Sequence, residues 1–198
     1  RLADHSCECC RVVMAVSRMG VPAIVWRHIY GQNTRDHALL RLDGKSQPVR
    51  VSEDNWAVDA CPHHGPGLAI GADNTYHLVG FTNAPGRQGL FYARSTATGR
   101  SFTAPLGFGN NNAQAGHAHV LSRASSVFVV WKEFDGEKTT VNAMTSHDDG
   151  KSWSKPVAVA TTTDTSDHPL LVSDGHKTFL SWMTKADGYR LLAIGDES

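Results

Sequence analysis

The run Ser146-His147-Asp148-Asp149-Gly150-Lys151-Ser152-Trp153, continued by Ser154-Lys155-Pro156, constrains the fold more than any other stretch of the chain. Each residue type has a defined job in a tight hairpin. Ser146 and Asp148 side chains can hydrogen-bond turn amides, Gly150 supplies a position of positive φ, and Trp153 pins the loop against a sheet. These duties are structural, so the run names an architecture before it names a chemistry. An ordinary Asp-Gly hairpin turn would not need the serine and the aromatic residue at these spacings.

A unit of this kind is expected to recur at a fixed period. Ser95-Thr96-Ala97-Thr98-Gly99-Arg100-Ser101-Phe102 holds the same place 51 residues earlier, with Ala97 at the aspartate position and Phe102 for the tryptophan. A second register comes from apolar strands ending in an aromatic residue, at 21–26, 76–81, 127–131 and 178–182. Their aromatics, Trp26, Phe81, Trp131 and Trp182, are separated by 55, 50 and 51 residues. Propeller blades of four strands repeat about every 40–50 residues. No stretch keeps an apolar period near 3.6, so very little helix is expected. A β-sandwich also offers short strands between polar turns, but the repetition argues against it. The expected fold is an all-β β-propeller region of about four blades, at roughly 11–60, 61–115, 116–166 and 167–198, with residues 1–10 ending a preceding blade.

With serine, aspartate, glycine and tryptophan in register, the 146–153 run resembles the Asp-box of the sialidase (BNR repeat) superfamily. The resemblance implies a six-bladed propeller, of which the chain holds later blades. Missing blades or a partner chain are then expected over the open sheet edges. A four-bladed ring, closed by pairing the N-terminal strand with the last blade, is the alternative.

Nineteen basic and nineteen acidic residues cancel, which leaves no electrostatic footprint for nucleic acid. No apolar run is long enough for a membrane span. Members of the resembled family are usually secreted or periplasmic, which favours disulfides among Cys7, Cys9, Cys10 and Cys61. The repeat register sets Cys61 opposite position 6, beside Cys7, so a Cys7–Cys61 bridge is expected, with Cys9 or Cys10 as substitutes.

In a propeller, the loop entering each innermost strand and the loop leaving the second strand lie on one face, around the central channel. The entry loops here are rich in chemistry: 7–11 with its cysteines and Arg11, 61–66 with His63 and His64, 116–119 with His117 and His119, and 167–169 with His168. The exit loops add Arg27, His28, Asn83, Lys132 and Glu133. Imidazole and thiolate suit copper or zinc, and His117 and His119 alternate on one side of a strand. One reading is therefore a transition-metal site of His63, His64, His117, His119 and His168. The alternative is that these rings hydrogen-bond loop carbonyls or a polar ligand while the cysteines are staples.

The resemblance implies different chemistry: an arginine cluster for a sugar carboxylate, a tyrosine–glutamate nucleophile pair and an aspartate acid/base. Glu133, Arg27 and Tyr30 are the residues that fit those catalytic roles by position, with Arg11, His28, His64, Asn83, His117 and His168 as ligand-binding residues. Arg35-Asp36-His37 alternates across a strand and so cannot converge; its members are expected to be polar residues at a strand edge. The reading that results is an exported propeller that binds, and as an enzyme would hydrolyse, a glycan or small anionic ligand at the channel mouth. The alternatives are a periplasmic copper- or zinc-binding propeller and a non-catalytic subunit of a larger assembly.

Overall fold

The computed structural model describes residues 2–95 and 99–195. Their strands form four antiparallel sheets, each meandering in chain order. The first sheet holds β1 (Val13–Val16), β2 (Pro22–Tyr30), β3 (Thr34–Arg41) and β4 (Val49–Arg50). The second holds β5 (Gly67–Ile70), β6 (Tyr76–Ala84), β7 (Arg87–Ser95) and β8 (Leu106–Phe108). The third holds β9 (Gly116–Arg123), β10 (Ser126–Phe134), β11 (Thr139–Ser146) and β12 (Val157–Thr162). The fourth holds β13 (Leu170–Ser173), β14 (Thr178–Thr184) and β15 (Gly188–Ile194). Helix among the described residues is one 3-10 turn, Asn111–Ala113, and no helix is long and apolar enough to cross a membrane. The first strands β1, β5, β9 and β13 are successive neighbours, which is the inner ring of a β-propeller, as the repeats led one to expect.

The apolar runs follow from sheets buried on both faces. Along β10, Val127, Val129 and Trp131 pack on Val79, Leu90 and Tyr92 of the second sheet. The alternate residues Phe128 and Val130 pack on Leu171, Leu180 and Trp182 of the fourth. Period-two geometry therefore turns an unbroken run, 127–131, into two half-cores. All five are at most 1% exposed, and each such side chain is worth roughly 1.5–3 kcal/mol of transfer free energy. The outward faces of the end sheets are different. Val12, Met14 and Val16 on the first, and Met183, Tyr189 and Leu191 on the fourth, are all more than half exposed.

The 146–153 turn is built from its own side chains. Ser146 Oγ accepts from Gly150 N at 2.8 Å and donates to Asp148 Oδ1 at 2.8 Å. Asp148 Oδ1 in turn accepts from Lys151 N and Ser152 N at 3.0 and 2.8 Å. These donors, with the Ser152 hydroxyl foremost, hold the Asp148 carboxyl far below the usual carboxylate range. Gly150 has φ of +79°, and a Cβ there would run into the Tyr92 hydroxyl. Trp153 meets the Tyr92 ring edge-on at 4.7 Å. One repeat earlier Gly99 N donates to Ser95 Oγ at 3.0 Å, the same bond. Thr96, Ala97 and Thr98, the centre of that earlier copy, lie outside the described residues, as does Arg1 of the expected preceding strand.

Three local expectations need correction. The second strands run past their aromatics: Arg27 pairs with His37, Asn83 with Gln88 and Glu133 with Thr140. Arg27, His28, Asn83, Lys132 and Glu133 are thus strand residues rather than exit-loop residues, because the hairpins keep exchanging backbone bonds. Asp36 and His37 are not at an edge either. Both are at most 1% exposed: Asp36 takes Arg50 and the Asn55 and Trp56 amides, and His37 Nδ1 meets Ser52 Oγ at 3.0 Å. Finally, of the three cysteines left open as partners of Cys61, Cys9 takes the bridge and the first choice, Cys7, does not. The Cys7 side chain is turned inward, with Arg35 Nη1 donating to its sulfur at 3.2 Å.

Candidate functional site

Two arginines fix the centre of the molecule. Arg27 is 1% exposed and its guanidinium is spent on three carbonyls, with Arg35 O at 2.7 Å and His64 O and Phe81 O at 2.8 Å. Arg11 donates to Pro66 O and Ala118 O, both at 3.0 Å, and so ties the start of β1 to the entry of β5 and to β9. Neither arrangement leaves a bidentate fork facing solvent for a carboxylate.

On this clamped loop, four rings form a column. His64 stacks on Phe81 with centroids 4.0 Å apart and 15° between planes. His117 stacks on His64 at 4.9 Å, and His168 on His117 at 3.7 Å. Three successive sheets thus contribute one imidazole each. Burial lowers the pKa of His64 to about 4 and that of His117 to about 3, with the charges of Arg27 and of His168 respectively adding to it. Burial likewise depresses His168, helped by Lys132. The column is therefore neutral at neutral pH, which removes the repulsion that three stacked imidazolium rings would suffer.

Beside the Phe81–His64 end lies a cleft of about 360 Å³ lined also by Asn83, Gln88, Asn111 and Gln114. Asn111 sits in the 3-10 turn, which is capped by Asn110 and ends with Gln114 in the left-handed region at φ 48°. Its Nδ2 donates to Gln88 O at 2.9 Å. A Cβ at Gly89 would collide with the Asn111 amide, so that approach requires glycine. Glu133 anchors the same turn: its Oε1 accepts from Asn110 N at 2.8 Å and Trp131 Nε1 at 2.7 Å. Aromatic and imidazole rings on one side and carboxamides on the other can contact a hydroxyl-rich, uncharged molecule.

The sequence-predicted residues divide accordingly. His64, His117 and His168 come together in the column, and Asn83 joins His64 in the cleft. Glu133 supports the cleft's loop. Tyr30 and His28 pack on each other, rings 4.5 Å apart and edge-on, and Arg50 lies over Tyr30; burial raises the Tyr30 phenol to about 12. The His119 Nδ1 accepts from Leu171 N at 3.2 Å, a structural bond to the neighbouring sheet. His63 lies with the Cys9 and Cys61 sulfurs and not with the column. Sequence reasoning missed Phe81, Gln88, Asn111 and Gln114 as lining residues. The run Asn110-Asn111-Asn112 was the available signal.

A larger hollow of about 620 Å³ lies between the first and second sheets, lined by Asp54, Arg87, Arg50, Arg100 and Phe102 among others. Its charges are mostly committed, Arg87 to Asp54 and Arg50 to Asp36, and none of the column rings reaches it.

No protein-family model and no curated protein matches the chain in sequence. Solved structures do match its fold. An α-L-arabinanase of Penicillium chrysogenum superposes with TM-score 0.58 at 13% identity, covering 91% of this chain and 60% of its own. An exo-1,5-α-L-arabinanase from a bovine ruminal metagenomic library gives 0.56 at 11% identity, covering 98% and 78%. A Trypanosoma rangeli sialidase mutant with trans-sialidase activity gives 0.58 at 11% identity, covering 93% of this chain but 35% of its own. The chain thus spans three fifths of the first of these propellers and about a third of the last.

Proposed function

We propose that the chain is the ligand-holding part of a glycan-binding propeller, and that the sugar lies in the cleft between the Phe81 and His64 rings and the carboxamides of Asn83, Gln88, Asn111 and Gln114. The observation that carries this reading is the joining of a stacked ring platform and four amide side chains in one cleft. Sugars present apolar C–H faces to rings and hydroxyls to amides, so both halves of the cleft have a use. The commitment of Arg27 and Arg11 to backbone carbonyls argues for an uncharged sugar over a sialic acid. An uncharged oligosaccharide, of which the α-1,5-arabino-oligosaccharides suggested by the arabinanase-like fold are the first to try, suits the lining better.

Binding is favoured over hydrolysis for these residues. Glycoside cleavage ordinarily needs two carboxyl groups flanking the bond, about 5–9.5 Å apart, and no aspartate or glutamate is among the described residues lining the cleft. Export from the cell is the compartment that fits the Cys9–Cys61 disulfide. The exposed apolar faces of the first and fourth sheets are where further blades of the same propeller would pack.

Calorimetric titration with neutral arabino-, xylo- and gluco-oligosaccharides and with sialyllactose tests the reading. Saturable binding of a neutral member, weakened about tenfold or more by Asn111→Ala, is expected. Selective binding of sialyllactose, or no weakening in the variant, would overturn it.

A further inference from the structure

The cleft leaves one cluster of reactive side chains without a use. Cys7, Cys9 and Cys10 bring their sulfurs within 4.8 Å of one another, and Cys61 is bonded to Cys9. Only two of these four cysteines are spent on the disulfide. Cys7 and Cys10 are free thiols, 4% and 6% exposed, too enclosed to serve as a surface staple.

The geometry points to a binding site for a soft, thiophilic metal ion, zinc or Cu(I), formed by Cys7, Cys9, Cys10 and Cys61 once the Cys9–Cys61 bond is reduced. The Cys7 sulfur lies 3.2 Å from that of Cys10 and 3.6 Å from that of Cys9. A tetrahedral thiolate site with metal–sulfur bonds of about 2.3 Å has sulfur–sulfur edges of about 3.8 Å, so small side-chain rotations suffice for Cys7, Cys9 and Cys10, while Cys61, which groups with Cys9 and His63, swings toward them once its bond to Cys9 is broken. Closing a second disulfide between Cys7 and Cys10 would need a contraction to about 2.05 Å. The separations stand nearer to the metal-thiolate edge.

Burial pushes the Cys10 thiol up to about 11, so its proton leaves only in exchange for metal, and two guanidinium groups beside the sulfurs offset part of that cost. Arg35 donates to the Cys7 sulfur at 3.2 Å, and the Arg27 guanidinium lies close enough to interact with both Cys7 and Cys10. Two guanidinium groups beside four thiolates offset much of the charge that the site gathers, and thiolates select soft or borderline ions over calcium and magnesium. The backbone is already bent to suit. Cys10 N donates to Cys7 O at 3.3 Å and Cys7 N to Arg27 O at 2.9 Å, so the loop turns its cysteines together without metal.

The chemistry balances as a gate. A dithiol reductant delivers two electrons and two protons to the Cys9–Cys61 bond, which breaks to two thiols while the dithiol closes to a disulfide. Each thiol then gives its proton to solvent as it bonds the metal. The oxidised protein, with only the Cys7 and Cys10 thiols left, is the form that does not load.

The test is zinc content by elemental analysis after dialysis, on the intact chain, oxidised and after treatment with a phosphine reductant, with cobalt(II) substitution as the spectroscopic readout. About one zinc per reduced chain is expected, with sulfur-to-cobalt charge-transfer bands in the cobalt form and no loading of the oxidised form. Cys61→Ser, at an exposed position, and Cys7→Ser, at a buried one, should each lower zinc affinity at least tenfold, and circular dichroism reports whether they fold. His117→Ala should leave loading unchanged. Failure of the folded, reduced protein to take up zinc, equal loading with the disulfide intact, or loss of zinc through His117→Ala would each overturn the proposal.

Discussion

The imidazole of His168 lies on that of His117, centroids 3.7 Å apart and planes 13° from parallel, although the two residues come from neighbouring sheets. The repeat makes this contact. Both occupy the entry of an innermost strand, and a propeller turns equal sequence positions into adjacent points around one centre. His64 continues the stack from the sheet before, so the ring that borders the cleft is held by rings that do not.

That hierarchy predicts an indirect effect. His117→Ala removes the support behind His64 without touching the cleft lining. Glycan affinity should fall by about 1 kcal/mol, the usual worth of one ring contact, while the melting temperature shifts little. Calorimetry and a thermal melt on the same sample check both parts. An affinity unchanged within error would detach the column from the site.

Buried neutral imidazoles predict acid sensitivity. Burial pushes the pKa of His77 down to about 4 in the folded protein, against an ordinary value of 6.5; His119 is lowered to about 4 by the same cause. Between those values the unfolded chain binds protons that the folded chain refuses, so the contribution of these imidazoles to stability falls as pH drops from 6.5 to about 4 and changes no further below. Denaturant melts from pH 7 to 4 should show that slope. In His77→Gln, which keeps a partner for the Tyr92 hydroxyl, the slope should be shallower. The same slope in wild type and variant would remove His77 from the account.

Ser146→Ala tests the turn separately from the site. The hydroxyl is 1% exposed and accepts the Gly150 and Asp148 amides. Its loss leaves a buried N–H unsatisfied, for a cost of about 1–3 kcal/mol. Glycan affinity at temperatures where the variant is folded should equal that of wild type. A variant as stable as wild type yet unable to bind would move the ligand to the turn.

Arg27→Lys separates two roles for one residue. An ammonium cannot reach the carbonyls of Arg35, His64 and Phe81 together, so about 2–4 kcal/mol of stability should be lost. Chemical denaturation reads this directly. Full stability with loss of an anionic ligand would return Arg27 to the carboxylate-clamp role that its position in the sequence invited.

Architecture was legible because apolar patterning reports buried faces. The doubly buried run 127–131 and the spacing of Trp26, Phe81, Trp131 and Trp182 follow from sheets packed on both sides. The meeting of His117 with His168 was legible for the same reason, as a matter of register. Polar residues carry no such record. Arg27 and Asp36 look like surface groups until the carbonyls and amides that satisfy them are seen. Asn111 reaches the cleft only through a short 3-10 turn that no periodicity announces. Cys9 takes the bridge because Cys7 turns inward toward Arg35, a choice of side-chain direction that spacing does not encode.

The most direct test of the glycan cleft is a titration of isotope-labelled protein with the tightest-binding oligosaccharide, following the side-chain amide resonances of Asn83, Gln88, Asn111 and Gln114. The account predicts saturable shifts concentrated on those four amides and on the Gly89 backbone amide, with one common affinity. Shifts centred instead on the hollow around Asp54, Arg87 and Arg100, or saturable binding that leaves all four amides unmoved, would contradict it.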